Sequence, residues 1–150
     1  RIFLMRNYIY TFILLIPIFL VAHESPQTKP EIQNYIDTYL KVIEIDATYI
    51  DTYYTLEKGK NVPAVKFAVK NLGDETITYL KATVYFLDKN GEPFFEETYS
   101  PISQYGDMKE LKPNYTFRLA RESYWTVKEI SPIEWSGRVN VEITDIEFKK

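Results

Sequence analysis

The chain has 150 residues, room for one domain with a sizeable core. It holds no cysteine and a single histidine, His23, against thirteen tyrosines, nine phenylalanines and two tryptophans, which excludes thiolate metal centres and nucleophile–imidazole relays and leaves no metal or cofactor to expect. Eighteen basic against twenty-one acidic residues are spread along the chain with no basic stripe, so nucleic acid is not an expected partner.

At the N-terminus Arg1 and Arg6 precede an apolar run from Tyr8 to Ala22, which breaks abruptly at His23-Glu24-Ser25-Pro26. This is the layout of an export signal, with Leu20-Val21-Ala22 in the positions a signal peptidase inspects and cleavage expected after Ala22. The alternative is an uncleaved anchor, a membrane tether through residues 8 to 22. Fifteen apolar residues reach only about 22 Å of a hydrocarbon core about 30 Å thick, and Pro17 interrupts them, so residues 1–22 read as a signal peptide first and an anchor second. Cleavage would leave sixteen basic and twenty-one acidic residues, with His23 at the new terminus and no role expected for it.

Residues 23–38 read as a linker followed by a short amphipathic helix. Ile32, Tyr35, Ile36, Tyr39, Leu40 and Ile43 form one apolar stripe, and Thr28-Lys-Pro-Glu31 is a capping-box pattern with proline in the first turn. The period then changes to two: Ile43, Ile45, Ala47 and Tyr49 are expected on one face of a strand, and Glu44, Asp46 and Thr48 on the other. Tyr-Ile-Asp-Thr-Tyr occurs at 35–39 and again at 49–53, in different periodicities, and reads as coincidence. Further strands are expected around Val65, Phe67 and Val69, from Ile77 to Leu87 with a bulge near Tyr79 and Leu80, and from Phe94 to Tyr99. Tyr115 to Leu119 and Arg138 to Phe148 complete the set, the last with a phase slip near Asp145. Asn71-Leu-Gly73-Asp74 and Asp88-Lys-Asn-Gly91 are the turn signals between them. Residues 39–150 are therefore expected to form an all-β, antiparallel sandwich whose aromatic residues fill the space between two sheets.

Three segments, Val69-Lys-Asn-Leu-Gly73, Val84-Tyr-Phe-Leu-Asp88-Lys-Asn-Gly91 and Leu111-Lys-Pro113, agree in order and spacing with the FxLYD type of small immunoglobulin-like domain, and the chain resembles that family over roughly residues 39 to 150. Of the family's five-residue core only Asp88 is identical, and Pro113-Asn114 stands where a Pro-Gly pair is expected. The resemblance implies an immunoglobulin-like β-sandwich in an extracytoplasmic setting, with no catalytic residues to carry over.

Little in the body points to catalysis. Glu96 and Glu97 are adjacent, and adjacent strand residues face opposite ways, so they cannot flank one glycosidic bond. Asp37, Glu44, Asp46 and Asp51 form an acidic neighbourhood without an EF-hand or an acidic glycine-rich repeat, and read as solvated charge. Asn114-Tyr-Thr116 matches a glycosylation acceptor, read as a chance match. The interval from Arg121 to Gly137 is the least strand-like and holds both tryptophans. Tyr124, Trp125 and Trp135 are the candidate ligand platform, set against the plainer reading that the tryptophans close one end of the core. The function expected is a non-catalytic, exported binding or accessory module at the cell envelope, acting on an envelope protein or polysaccharide. A carbohydrate-binding module and a small carboxylate hydrolase are the alternatives.

Overall fold

The computed structural model describes residues 28–51, 61–127 and 134–150, with the side chains of Asp51 and Asn61 excepted. The signal or anchor segment, His23, the linker to Gln27 and the end of the second Tyr-Ile-Asp-Thr-Tyr copy lie outside these residues. Helix α1 runs Lys29–Tyr39. The Thr28 side chain and the Glu31 carboxylate close the expected capping box, Thr28 N–H donating to Glu31 Oε2 at 2.7 Å. Among the described residues no helix is long and apolar enough to cross a membrane.

Seven strands follow: β1 (Leu40–Asp51), β2 (Asn61–Asn71), β3 (Ile77–Leu87), β4 (Pro93–Ile102), β5 (Thr116–Arg118), β6 (Trp125–Thr126) and β7 (Arg138–Phe148). They form two antiparallel sheets. In sheet A, β2 pairs with β1 on one side and with β5 and then β6 on the other. In sheet B, β3 lies between β4 and β7. Val65, Phe67 and Val69 from sheet A and Leu80, Ala82, Val84 and Phe86 from sheet B meet in one core. The all-β, two-sheet expectation thus holds, with one short helix laid over the end where β1 begins.

Parity decides which residues reach that core. In β7, Ile143 pairs with Ala82 but Asp145 pairs with Lys81, so Thr144 is an extra residue and Ile146 returns to the inner face; this is the phase slip legible in the sequence. Thr78 is the matching extra residue in β3, next to the predicted change at Tyr79 and Leu80. The expectation for β1 needs correction. Ile43 pairs with Ala68 and Asp46 with Lys66, so Glu44 and Ile45 together oppose Phe67 in a β-bulge. Val42, Ala47 and Tyr49 pack against the core, while Ile45 is exposed.

Turn chemistry follows the predicted residues. Asp88 Oδ1 accepts from the N–H groups of Asn90 (2.8 Å) and Glu92 (2.9 Å), and Gly91 takes φ 89° to close the β3–β4 hairpin. Between Leu111 and β5, Tyr115 N–H donates to Lys112 O at 3.1 Å across Pro113 and Asn114. Asn114 takes φ 64°, the position where a type II turn favours glycine and tolerates asparagine.

The pole beneath α1 is held by one side chain. Asn71, wholly buried at the end of β2, accepts at Oδ1 from Tyr35 Oη (3.1 Å) and from Gly73 N–H (3.0 Å). Its Nδ2 donates to Glu75 O (2.8 Å) and Leu111 O (3.4 Å), and Tyr35 Oη accepts in turn from Glu75 N–H (3.1 Å). Burial pushes the Tyr35 hydroxyl pKa up, so it stays a donor. The helix packs so closely on the turn that a Cβ at Gly73 would fall inside the Tyr35 phenol, 2.5 Å from Cζ.

Replacing Asn71 by Ala strands several of these groups together and should cost about 3 kcal/mol in urea unfolding. Gly73→Ala should also destabilise the fold, and its cost should largely vanish in a Tyr35→Ala background; strictly additive effects in that double-mutant cycle would refute the steric account.

Candidate functional site

Of the three platform residues, Trp135 lies furthest from solvent, at 4% exposure. Gly137 at φ 82° turns the chain so that Trp135 Nε1 donates to Arg138 O at 2.9 Å, and Ser136 binds Leu87 O through both N–H (3.0 Å) and Oγ (2.8 Å). The indole then packs against Tyr49 (ring centroids 4.8 Å apart) and Phe86 (5.7 Å), joining the two sheets. Trp125, expected in a non-strand interval, lies in β6 opposite Val65. Its half-buried ring stacks on Tyr99 of β4 at 4.9 Å and meets Phe67 and Phe117, which closes the other side of the core. Both indoles pack between the sheets, and Tyr124 does not join them there.

Tyr124 turns to the outer face of sheet A. Its hydroxyl donates to Asp46 Oδ2 at 2.7 Å, and Lys66 Nζ lies 4.3 Å from its ring centroid. Lys66 also pairs with Asp46 at 3.4 Å and donates to Arg121 O at 3.1 Å. The Tyr124 oxygen and Asp46 hold the Lys66 pKa above the ordinary lysine value, burial working against them. One turn of strand away, Arg118 Nε and Nη2 donate to the two oxygens of Glu44 at 2.7 and 2.6 Å, a bidentate pair that crosses over Ala68 of β2. Glu44 sits at φ 54°, a left-handed conformation rare for its type, so the bulge aims its carboxylate at Arg118 under backbone strain.

These side chains surround a depression of about 380 Å³ lined by Glu44, Lys66, Phe67, Ala68, Arg118, Leu119 and Arg121. It lies beside the break between β5, which pairs with residues 68–70 of β2, and β6, which pairs with residues 64–65; among the described residues Lys66 and Phe67 belong to neither register on that side. The notch has a charged rim and an apolar floor. The opposite molecular face is different in sign, with Tyr85 of β3 across from Glu96 of β4 and its hydroxyl pKa raised by burial, Glu142 and Glu96.

The remaining sequence candidates are dispersed. Glu97 opposes Val84 on the inner side of sheet B while Glu96 opposes Tyr85 on the outer side, so the two carboxylates do diverge. Asp37 accepts from Gln33 on α1, whereas Glu44 and Asp46 are engaged by Arg118 and Lys66. Asn114 is exposed in its turn. Among the described residues no three His, Cys, Asp or Glu side chains gather as a metal site would require.

Trp135→Ala should remove about 3–5 kcal/mol of stability, and Trp125→Ala a substantial fraction of that, both read as lowered urea midpoints; an unchanged midpoint for either would remove it from the packing. The Arg118 guanidinium holds the Glu44 carboxyl below its usual pKa. Because the folded value is the depressed one, the pair adds stability above the unfolded glutamate value of about 4.3 and loses it as pH falls through the folded value. A carbon-detected titration should place Glu44 below about 4.3 and move it upward at about 1 M salt; an ordinary, salt-insensitive midpoint would show the pair absent in solution.

Comparison of the chain with family models, with curated proteins and with solved structures returned no match in any of the three.

Proposed function

We propose that this chain is an exported, non-catalytic binding or accessory module of the cell envelope, an immunoglobulin-like β-sandwich that recognises a partner through the notch in sheet A. The observation that carries the reading is the notch itself. Lys66, Arg118 and Arg121 line it around an apolar floor, with Tyr124 beside it against Lys66, and arginine and tyrosine are the residues recognition surfaces favour. The aromatic side chains elsewhere support the same view, since the sheets use them to hold a scaffold together without disulfides.

Two features favour a protein partner over a polysaccharide. A sugar platform needs flat, accessible rings, and the indoles of Trp125 and Trp135 are engaged with five aromatic neighbours, Phe67, Tyr99, Phe117, Tyr49 and Phe86. Tyr124, the remaining platform residue, has Lys66 over its ring. The setting rests on the apolar run from Tyr8 to Ala22, read as an export signal.

Cells expressing the chain with a photo-crosslinking residue at Leu119, in the notch, or at Thr98, on the outer face of sheet B, test the reading. Expected are an envelope-associated chain shortened by residues 1–22 and a protein adduct from position 119 but not from 98. A cytoplasmic chain, or adducts indifferent to position, would overturn it.

A further inference from the structure

Asn114-Tyr115-Thr116 is the chain's one Asn-x-Ser/Thr triplet, the acceptor pattern of N-linked glycosylation. Along the sequence it passes for a chance match, and its place in the fold is what gives it meaning. Asn114 is exposed at φ 64° in the turn ahead of β5, where its N–H donates to Asn71 O at 2.9 Å. Among the described residues its carboxamide enters no hydrogen bond. The turn needs only a residue that tolerates positive φ, which glycine does better, so the side chain of Asn114 is spare. Asn71 is the opposite case, buried with its amide engaged at both ends.

Backbone hydrogen bonds gather apolar side chains at the same place. Asn71 N–H donates to Tyr115 O at 3.1 Å and Leu72 N–H to Tyr39 O at 2.8 Å, so the ends of α1 and β2 and the turn ahead of β5 lie side by side. Tyr115 is 62% exposed, Leu72 44% and Tyr39 39%, three of the five large apolar side chains that the described residues leave in water. Apolar groups gathered on a surface call for a cover. An oligosaccharide is bulky and solubilising, and its pyranose rings carry C–H faces that lie flat on tyrosine. Attached at Asn114, next to Tyr115, it reaches this surface without a second protein.

Resting on the reading of the chain as exported, we propose that Asn114 is a glycosylation site whose N-linked oligosaccharide covers Tyr115 and Leu72. The donor is an oligosaccharide carried on a polyprenyl phosphate or pyrophosphate. Asn114 Nδ2 bonds to the anomeric carbon of the first sugar, and the bond from that carbon to the phosphate oxygen breaks with its electron pair leaving on the lipid phosphate. One Nδ2 proton passes to a base of the transferase, and nothing is oxidised or reduced. Thr116 supplies the hydroxyl of the acceptor pattern; because the folded chain pairs it with Lys70 in β5, transfer takes place before β5 closes on β2.

The test is the intact mass of the chain purified from the envelope of the cells that make it, beside Asn114→Gly, Thr116→Ser and Thr116→Val made in the same cells. Glycine suits the positive φ of the turn, so Asn114→Gly removes the acceptor and keeps the fold. Expected for the native chain is a mass above that of the polypeptide by whole sugar units, placed on Asn114 by peptide fragmentation. Thr116→Ser should retain the increment, and Asn114→Gly and Thr116→Val should lose all of it. Tetranitromethane should nitrate Tyr115 several-fold more slowly in the glycosylated chain than in Asn114→Gly. An envelope chain shortened by residues 1–22 but of bare polypeptide mass overturns the glycosylation and leaves the export reading standing, whereas a chain held in the cytoplasm takes both down. An increment that survives Asn114→Gly overturns the site, and equal nitration overturns the covering of Tyr115.

Discussion

The buried amide of Asn71 is the constraint on which the arrangement of this domain depends. One side chain with two lone pairs and two protons meets Tyr35, Gly73, Glu75 and Leu111, four positions drawn from α1, the β2–β3 turn and the segment ahead of β5. Its backbone joins the same knot through Tyr115 and Asn114. A buried polar group with every valence met tolerates few alternatives, because any shift of the helix or turn leaves part of it stranded in a low-dielectric interior. Apolar contacts alone would let α1 slide over the end of the sheets; the amide gives it one seat. With the helix seated, Tyr35 meets Phe148 edge-on at 4.8 Å, and the end of β7 is held against α1.

Much of this was legible in the sequence, and the reason is parity. In β3 and β7 the apolar residues themselves change phase, Ile143 to Ile146 being an odd step, so the extra residues announce themselves. In β1 they do not. Ile43 and Ile45 continue a regular alternation that the structure breaks, since the inner residues are Val42 and Ala47 and the exposed Ile45 imitates a core position. β6 leaves no mark in the sequence because two residues carry no periodicity at all; the pairing of Trp125 with Val65 is a tertiary event. The Asn-Leu-Gly signal marked a turn correctly, but nothing local revealed that Gly73 makes room for Tyr35 or that Asn71 turns inward.

The candidate site was harder to see. Tyr124 is part of it, yet Glu44 and Arg118 are 74 residues apart and meet only because β1 and β5 flank β2. No spacing rule joins them. Aromatic composition drew attention to the tryptophans, which the two sheets then claim for packing at opposite sides of the core. Charge carried the better signal, but only after the sheet had sorted Lys66, Arg118 and Arg121 onto one face and Glu96 and Glu142 onto the other.

The division of one side of sheet A between β5 and β6 has a further effect. A long, flat, unpaired strand is a template on which other copies of a chain can stack, and soluble β proteins interrupt such edges to avoid it. Here the side is broken into pieces of three and two residues, with a loop leaving the sheet between them. An intruding strand finds no continuous row of donors and acceptors to zip along, so uncontrolled polymerisation is discouraged at this side of the sheet.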